Sequence, residues 1–234
     1  MKVILEKRPK SPIIVEGFPG FGLIGTISTE FLIKHLDARL IGRIRVEEVP
    51  PIIAVHDGGA VEPVGIYYAA KQNIIIIHAL SALNNLEWEL SELILRLAKD
   101  LKAKELISIE GVGSQTEVQD PRIFHVSNNK SSKRTKAAPT EPLQEGIIVG
   151  VTGALLLSKG VPITCFFAET HSALPDSRAA ANIIKVLDKY LGLKVDYKPL
   201  IAKAEKFESK LREFLTKAKD VSAEKNKNSP TYFG

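Results

Sequence analysis

Ile13-Ile14-Val15-Glu16-Gly17-Phe18-Pro19-Gly20-Phe21-Gly22-Leu23-Ile24-Gly25 opens with apolar, β-branched residues that suit a strand buried on both faces. It then turns on glycines and a proline and continues into a helix to about Leu36. Gly17, Gly20, Gly22 and Gly25 let the backbone take positive φ or pass close to another segment, and Pro19 stiffens the turn. Leu23, Ile24, Ile27, Phe31 and Leu32 recur at helical spacing and form one apolar stripe. A strand, a Gly-rich turn and a helix laid back over the strand make half of a βαβ unit.

Outward from that unit, strands and helices continue to alternate. Residues 3–5 and 40–46 read as strands, and 52–56 and 61–68 flank Asp57-Gly58-Gly59, which has hairpin-turn chemistry. Ile74-Ile75-Ile76-Ile77 has no polar alternation, which places it in the centre of a sheet covered on both sides. Asn84 or Asn85 is expected to cap a helix over 86–102 with Trp88, Leu90, Leu93, Ile94, Leu97 and Leu101 on its apolar face. A strand at 106–109 is expected to end in a flexible loop, Glu110-Gly111-Val112-Gly113-Ser114, and 123–126 is a further strand. Residues 147–159 read as a helix buried nearly all round, 162–168 as the last core strand, and 176–191 as a helix closed by Gly192. The expected architecture is a three-layer α/β/α sandwich around a mixed, mostly parallel sheet, with a C-terminal helical extension.

The expected organisation is an α/β domain over 1–199, an amphipathic helix over 200–221 and a flexible tail over 222–234. Leu200, Ala204, Phe207, Leu211, Phe214 or Leu215 and Ala218 follow the coiled-coil rhythm. So short a stripe is not stable alone in water, so it lies on its own domain or on another chain. In the second case Leu200, Phe207, Leu211 and Phe214 are oligomer-interface residues.

Hydrophobic residues make up 44% of the 234 and charged ones 25%, the composition of an ordinary soluble globular protein. Charge interrupts Met1-Lys2-Val3-Ile4-Leu5-Glu6-Lys7 too early for a signal peptide, and the nearly apolar run 147–157 falls short of the ~20 residues that span a bilayer. One cysteine, Cys165, excludes an internal disulfide and reads as an inert core thiol. A cytoplasmic protein is expected, and abundant Lys, Glu and Ile with a single Met and Trp match a thermophile. The net charge of +5 is concentrated outside the core. Lys130, Lys133, Arg134 and Lys136 stand without an acid in 128–136, and 194–234 carry ten Lys or Arg against six Asp or Glu. No aromatic residue is interleaved in the basic loop, so a solvated loop is favoured over a nucleic-acid site.

Two chemical readings remain open. Gly20-Phe21-Gly22-Leu23-Ile24-Gly25 fits G-x-G-x-x-G, the dinucleotide fingerprint. The ribose-binding acid expected about 20 residues on is replaced by Arg43 and Arg45, which would at best suit the 2′-phosphate of NADP. Two phenylalanines and a proline crowd the loop, and the competing reading gives the glycines only close helix-on-sheet packing. For a small-molecule hydrolase, His78, Glu169 and His171, with Glu110, stand at strand ends. The structural alternative is hydrogen bonding to loop backbone there. Among His35, His56, His78, His125 and His171 no pair has metal-helix spacing, and Ser81 and Ser114 lack the G-x-S-x-G setting of an activated nucleophile.

Gly17-Phe18-Pro19-Gly20-Phe21-Gly22-Leu23-Ile24-Gly25 also resembles the signature turn of the proteasome-assembly-chaperone family, which has archaeal members. Three further stretches carry the resemblance: Gly146-Ile147-Ile148-Val149-Gly150-Val151-Thr152-Gly153-Ala154-Leu155-Leu156, Ala168-Glu169-Thr170, and Leu174-Pro175-Asp176-Ser177-Arg178-Ala179-Ala180. It implies a non-enzymatic assembly factor without cofactor or metal, in which the turn is structural. Its implied partners are further copies of itself, in a ring or other symmetric oligomer, and the proteasome α-ring or a related paralogous subunit. Family members acting on the proteasome often end in a hydrophobic residue, a tyrosine and one more residue, whose carboxylate meets a lysine between α-subunits. Here the end is Tyr232-Phe233-Gly234, with Phe233 at the tyrosine position. A partner group awaiting the missing hydroxyl would be left unpaired, at a cost of roughly 1–3 kcal/mol.

Overall fold

The computed structural model describes residues 1–49, 53–56, 59–114, 120–128, 135, 138–171 and 174–195. The strands are β1 (Lys2–Leu5), β2 (Ile13–Gly17), β3 (Arg39–Arg45), β4 (Ala54–His56), β5 (Gly59–Val61), β6 (Val64–Ala69), β7 (Ile74–Ala79), β8 (Glu105–Gly113), β9 (Ile123–Ser127), β10 (Glu141–Pro142) and β11 (Ile163–Thr170). The helices are α1 (Ile24–His35), α2 (Glu87–Asp100), α3 (Gly150–Leu156) and α4 (Ser177–Leu191). Among the described residues nine strands form one sheet in the order β1-β3-β6-β7-β2-β8-β11-β9-β10. The centre, β7-β2-β8-β11, is parallel, and antiparallel strands flank it, so the sheet is mixed.

Alternation along the central strands builds both halves of the core. Val15, Ile74, Ile76, Ile107 and Phe166 pack with α1 and α4 on one face. Ile14, Ile75, Ile77, Leu106, Cys165 and Phe167 pack with α2 and α3 on the other. Each face of Ile74-Ile75-Ile76-Ile77 therefore meets a helical layer, which is why that run has no polar position. The result is the expected three-layer α/β/α sandwich.

Two devices hold α1 and α4 in place. A Cβ on Gly25 would stand 2.7 Å from the carbonyl oxygen of Ile109 and 2.8 Å from that of Phe18, and one on Gly17 would strike the Gly25 carbonyl. The start of α1 thus lies directly on the backbone of β2 and β8, a contact only glycine permits. At α4, the Asp176 side chain accepts from the Ala179 amide at 2.9 Å, and Gly192 closes the helix at φ 69°. Near its end the Tyr190 hydroxyl donates to Glu105 Oε1 at 2.6 Å, where the Thr164 hydroxyl also donates at 2.7 Å. This buried junction ties α4 to β8 and β11.

Several expectations are corrected. Neither Asn84 nor Asn85 caps α2; Leu86 precedes it without a side-chain cap, and Asn85 supplies positive φ to the turn instead. Trp88 is 60% exposed, because the helix turns Leu90, Ile94 and Leu97 inward and leaves position 88 outside. The stretch Glu110-Gly111-Val112-Gly113 is not a loop: β8 runs on through Gly113, paired with β11 to Thr170. The 147–159 segment is helical only over Gly150–Leu156, and Ile147 is 93% exposed, Val149 74% and Leu157 72%. Gly150 at φ 76° sets the late start, and the single buried face of so short a helix lies on α2 and the sheet. The hairpin joins β4 to β5 as a separate two-stranded piece, while β6 enters the main sheet. The expected C-terminal helix with Leu200, Phe207, Leu211 and Phe214, the expected tail Tyr232-Phe233-Gly234 and most of the basic loop lie outside the described residues.

Candidate functional site

Past β2 the chain makes one 3-10 turn at Phe21–Leu23, with Gly22 at φ 67° and Leu23 at φ 51°, before α1 begins. Opposite this turn lie the segment 146–149 and the first residues of α3. Between them, at the carboxyl ends of β2 and β8, is a cleft of about 410 Å³. Phe18, Phe21, Leu83, Ile148 and Val149 give it apolar walls. Among the described residues its charged lining is Glu87 and Glu110, with no base.

Glu110 projects from β8 toward the turn, and its carboxylate fills the place a side chain on residue 20 would need. Oε1 accepts from the Gly111 amide at 3.3 Å and Oε2 from the Thr152 hydroxyl at 3.5 Å. Thr152 in turn shares a hydrogen bond of 2.7 Å with Ser108. Ser108 is paired in register with Glu16 of β2, which is almost wholly buried and whose Oε1 has no hydrogen-bond partner among the described residues. Burial pushes the Glu16 carboxyl up to about 8, partly offset by Ser108. Burial likewise pushes Glu110 up to about 7 against the hydrogen bonds from Gly111 and Thr152. Cys165, beside Ser108 on β11, is buried, and its thiol is pushed well up by that burial and by the Glu16 charge, consistent with an inert core thiol.

The geometry does not suit a dinucleotide. A phosphate over the turn would meet the Glu110 carboxylate at Gly20, while at Gly22 the Asp176 amide donates to the carbonyl at 2.9 Å and the Asp176 carboxylate accepts from Thr170. Arg43 and Arg45 lie on β3, separated from β2 by β6 and β7, and are paired with Glu62 and Glu47. Within the turn, Gly17 and Gly25 allow backbone contact, and Gly20 makes room for the Glu110 carboxylate.

Nor are the strand-end residues gathered into one site. His78 lies buried on the α1 face, with Nδ1 2.9 Å from the Thr29 hydroxyl and Nε2 3.5 Å from a Glu30 oxygen. Burial pushes its imidazole down to about 4 despite Glu30, so it is neutral at pH 7. Glu169, two strands beyond β2, receives a two-pronged hydrogen bond from Arg122, at 3.1 Å to each oxygen. That guanidinium holds its carboxyl below the usual range. His171 is exposed. Of the expected group only Glu110 opens into the cleft. Glu16, Ser108 and Thr152 were not anticipated, although a glutamate directly after the apolar run Ile13-Ile14-Val15, in the same central strand, is itself a signal. Among the described residues there is no group of three His, Cys, Asp or Glu able to hold a metal ion, and no helix is long and apolar enough to cross a membrane.

The two walls of this cleft, the glycine turn and the 146–151 segment, fall within a match to the PAC2 family model over residues 14–215. The chain belongs to the PAC2 family. An uncharacterized family relative from Methanocaldococcus jannaschii is 27% identical over 227 residues, 95% of this chain and 93% of the relative. Among solved structures, Pyrococcus furiosus PbaA, an archaeal homolog of proteasome-assembly chaperone, superposes with a TM-score of 0.84. It is 31% identical, and the match covers 94% of this chain and 99% of PbaA. Pyrococcus furiosus PbaB, an archaeal proteasome activator, shares the fold at a TM-score of 0.74 and 21% identity, over 91% of this chain and 98% of PbaB. By family and fold the chain is thus of the proteasome-assembly-chaperone-like type.

Proposed function

We propose that this protein is a non-enzymatic, cytoplasmic docking factor of the proteasome-assembly type, working as a homo-oligomer. The observation that carries the reading is the likeness to PbaA, which spans almost the whole of both chains at 31% identity. In this reading residues 1–199 form the rigid body, and Leu200, Phe207, Leu211 and Phe214 of a helix over 200–221 join copies. The tails over 222–234 present Tyr232, Phe233 and Gly234 to a proteasome α-ring or a paralogous subunit. Several tails on one body act at high effective concentration, so an end lacking the tyrosine hydroxyl still contributes to docking.

The test is affinity capture from native lysate with the intact chain and with a chain lacking 232–234, probing the eluate for proteasome α-subunits and their paralogues. Capture is expected to be lost on deletion while the circular dichroism of the body stays unchanged. Equal capture by both chains refutes the tail's role. Sedimentation of a chain ended at Pro199 is expected to show a smaller particle, and an unchanged mass takes the helix out of the interface.

A further inference from the structure

We propose that the cleft between the glycine turn and the 146–151 segment binds a small organic amine, with the ammonium on Glu110 and an apolar body against Phe21, Ile148 and Val149. Its volume of about 410 Å³ falls in the range of small-molecule sites, and its largely apolar lining with a few polar side chains, Glu110, Glu87 and Asn84, is their usual construction. The charge sets the sign of the ligand. Among the described residues the charged lining is two acids, Glu110 and Glu87, with no lysine, arginine or histidine. No cation among the described residues is paired with Glu110. An anion would be repelled here, and a neutral ligand would leave the acids as they are.

An ammonium supplies the missing counter-charge. Its positive charge would offset the burial that holds the Glu110 carboxyl up near 7. The turn keeps the acid in position: with no side chain at residue 20, the Glu110 carboxylate lies against the backbone of the turn, held by Gly111 and Thr152. The exposed side chains of Ile147 and Val149 form a lip that an apolar body would cover. Nothing in this site depends on tail docking.

The experiment is titration of the full-length protein with 2-phenylethylamine, 2-phenylethanol and 3-phenylpropionate, followed by NMR of the isoleucine and valine methyls. The amine is expected to shift the methyls of Ile147, Ile148, Val149 and Val151 saturably. The alcohol and the acid should bind at least tenfold more weakly. Glu110→Gln should weaken the amine at least tenfold. Val149→Trp, at a largely exposed position, should weaken it by filling the mouth whether or not the Glu110 variant folds. Equal binding of amine and alcohol, shifts confined to other surfaces, or unchanged affinity in the variants overturns the proposal.

Discussion

Gly25→Ala tests whether the signature glycines serve packing. Gly25 sits in the first turn of α1 and its φ is not positive, so the alanine backbone itself is unstrained. On helix propensity alone the change would stabilise by about 1 kcal/mol. The new methyl carbon, however, would stand 2.7 Å from Ile109 O, 2.8 Å from Phe18 O and 3.0 Å from Gly17 Cα. All three are backbone atoms of the turn and central strands, so no side chain can swing aside. Overpacking of this kind costs about 1–3 kcal/mol, and contacts this rigid belong at the upper end. The net expectation is a loss of about 2 kcal/mol, or roughly 4–8 °C in Tm for a chain of this size. Guanidinium titration followed by circular dichroism should show a lower midpoint at unchanged slope. Gly146→Ala is the control, since its methyl would meet only the flexible Leu143 side chain, at 3.3 Å, and the midpoint should hold. A Gly25→Ala protein as stable as the parent, or more so, would refute the packing account of the motif.

Glu16→Gln should change the pH dependence of stability. The folded-state pKa of about 8 exceeds the ordinary 4.5, so the native state keeps a proton that the unfolded chain releases, and stability falls as pH rises through that window. The amide removes the loss, so the variant should gain over the parent from pH 5 to pH 9; parallel denaturation curves across that range would count against it. Tyr190→Phe should cost roughly 1.5–3 kcal/mol by removing a hydrogen bond to buried Glu105, read as a lower guanidinium midpoint. No change would mean that this junction does not fasten α4.

The layered fold was legible because its signals are local. A glycine turn after Ile13-Ile14-Val15, a continuous isoleucine run and an Asp176…Gly192 pair at the helix ends each carry their meaning within a few residues. The failures came where meaning depends on what lies opposite. Ile147 and Val149 looked like core because they are apolar, yet Gly150 shortens the helix and leaves them at the lip of a cleft. Glu110 was visible as a strand-end acid, but its company was not. Its association with Ser108, Thr152 and Glu16 follows from β2 pairing with β8 and α3 lying over them, an order that no local pattern encodes. His78 and Glu169 likewise looked like partners until the sheet order put two strands between them.

The border formed by β10 has a consequence for how copies can meet. It is two exposed residues long and ends in Pro142, which has no amide hydrogen to offer an incoming strand. So short an edge with a proline discourages a neighbour from lengthening the sheet there with its own strand. In the oligomer proposed above, copies would then meet through side-chain surfaces on this side, whose shape and charge can limit their number.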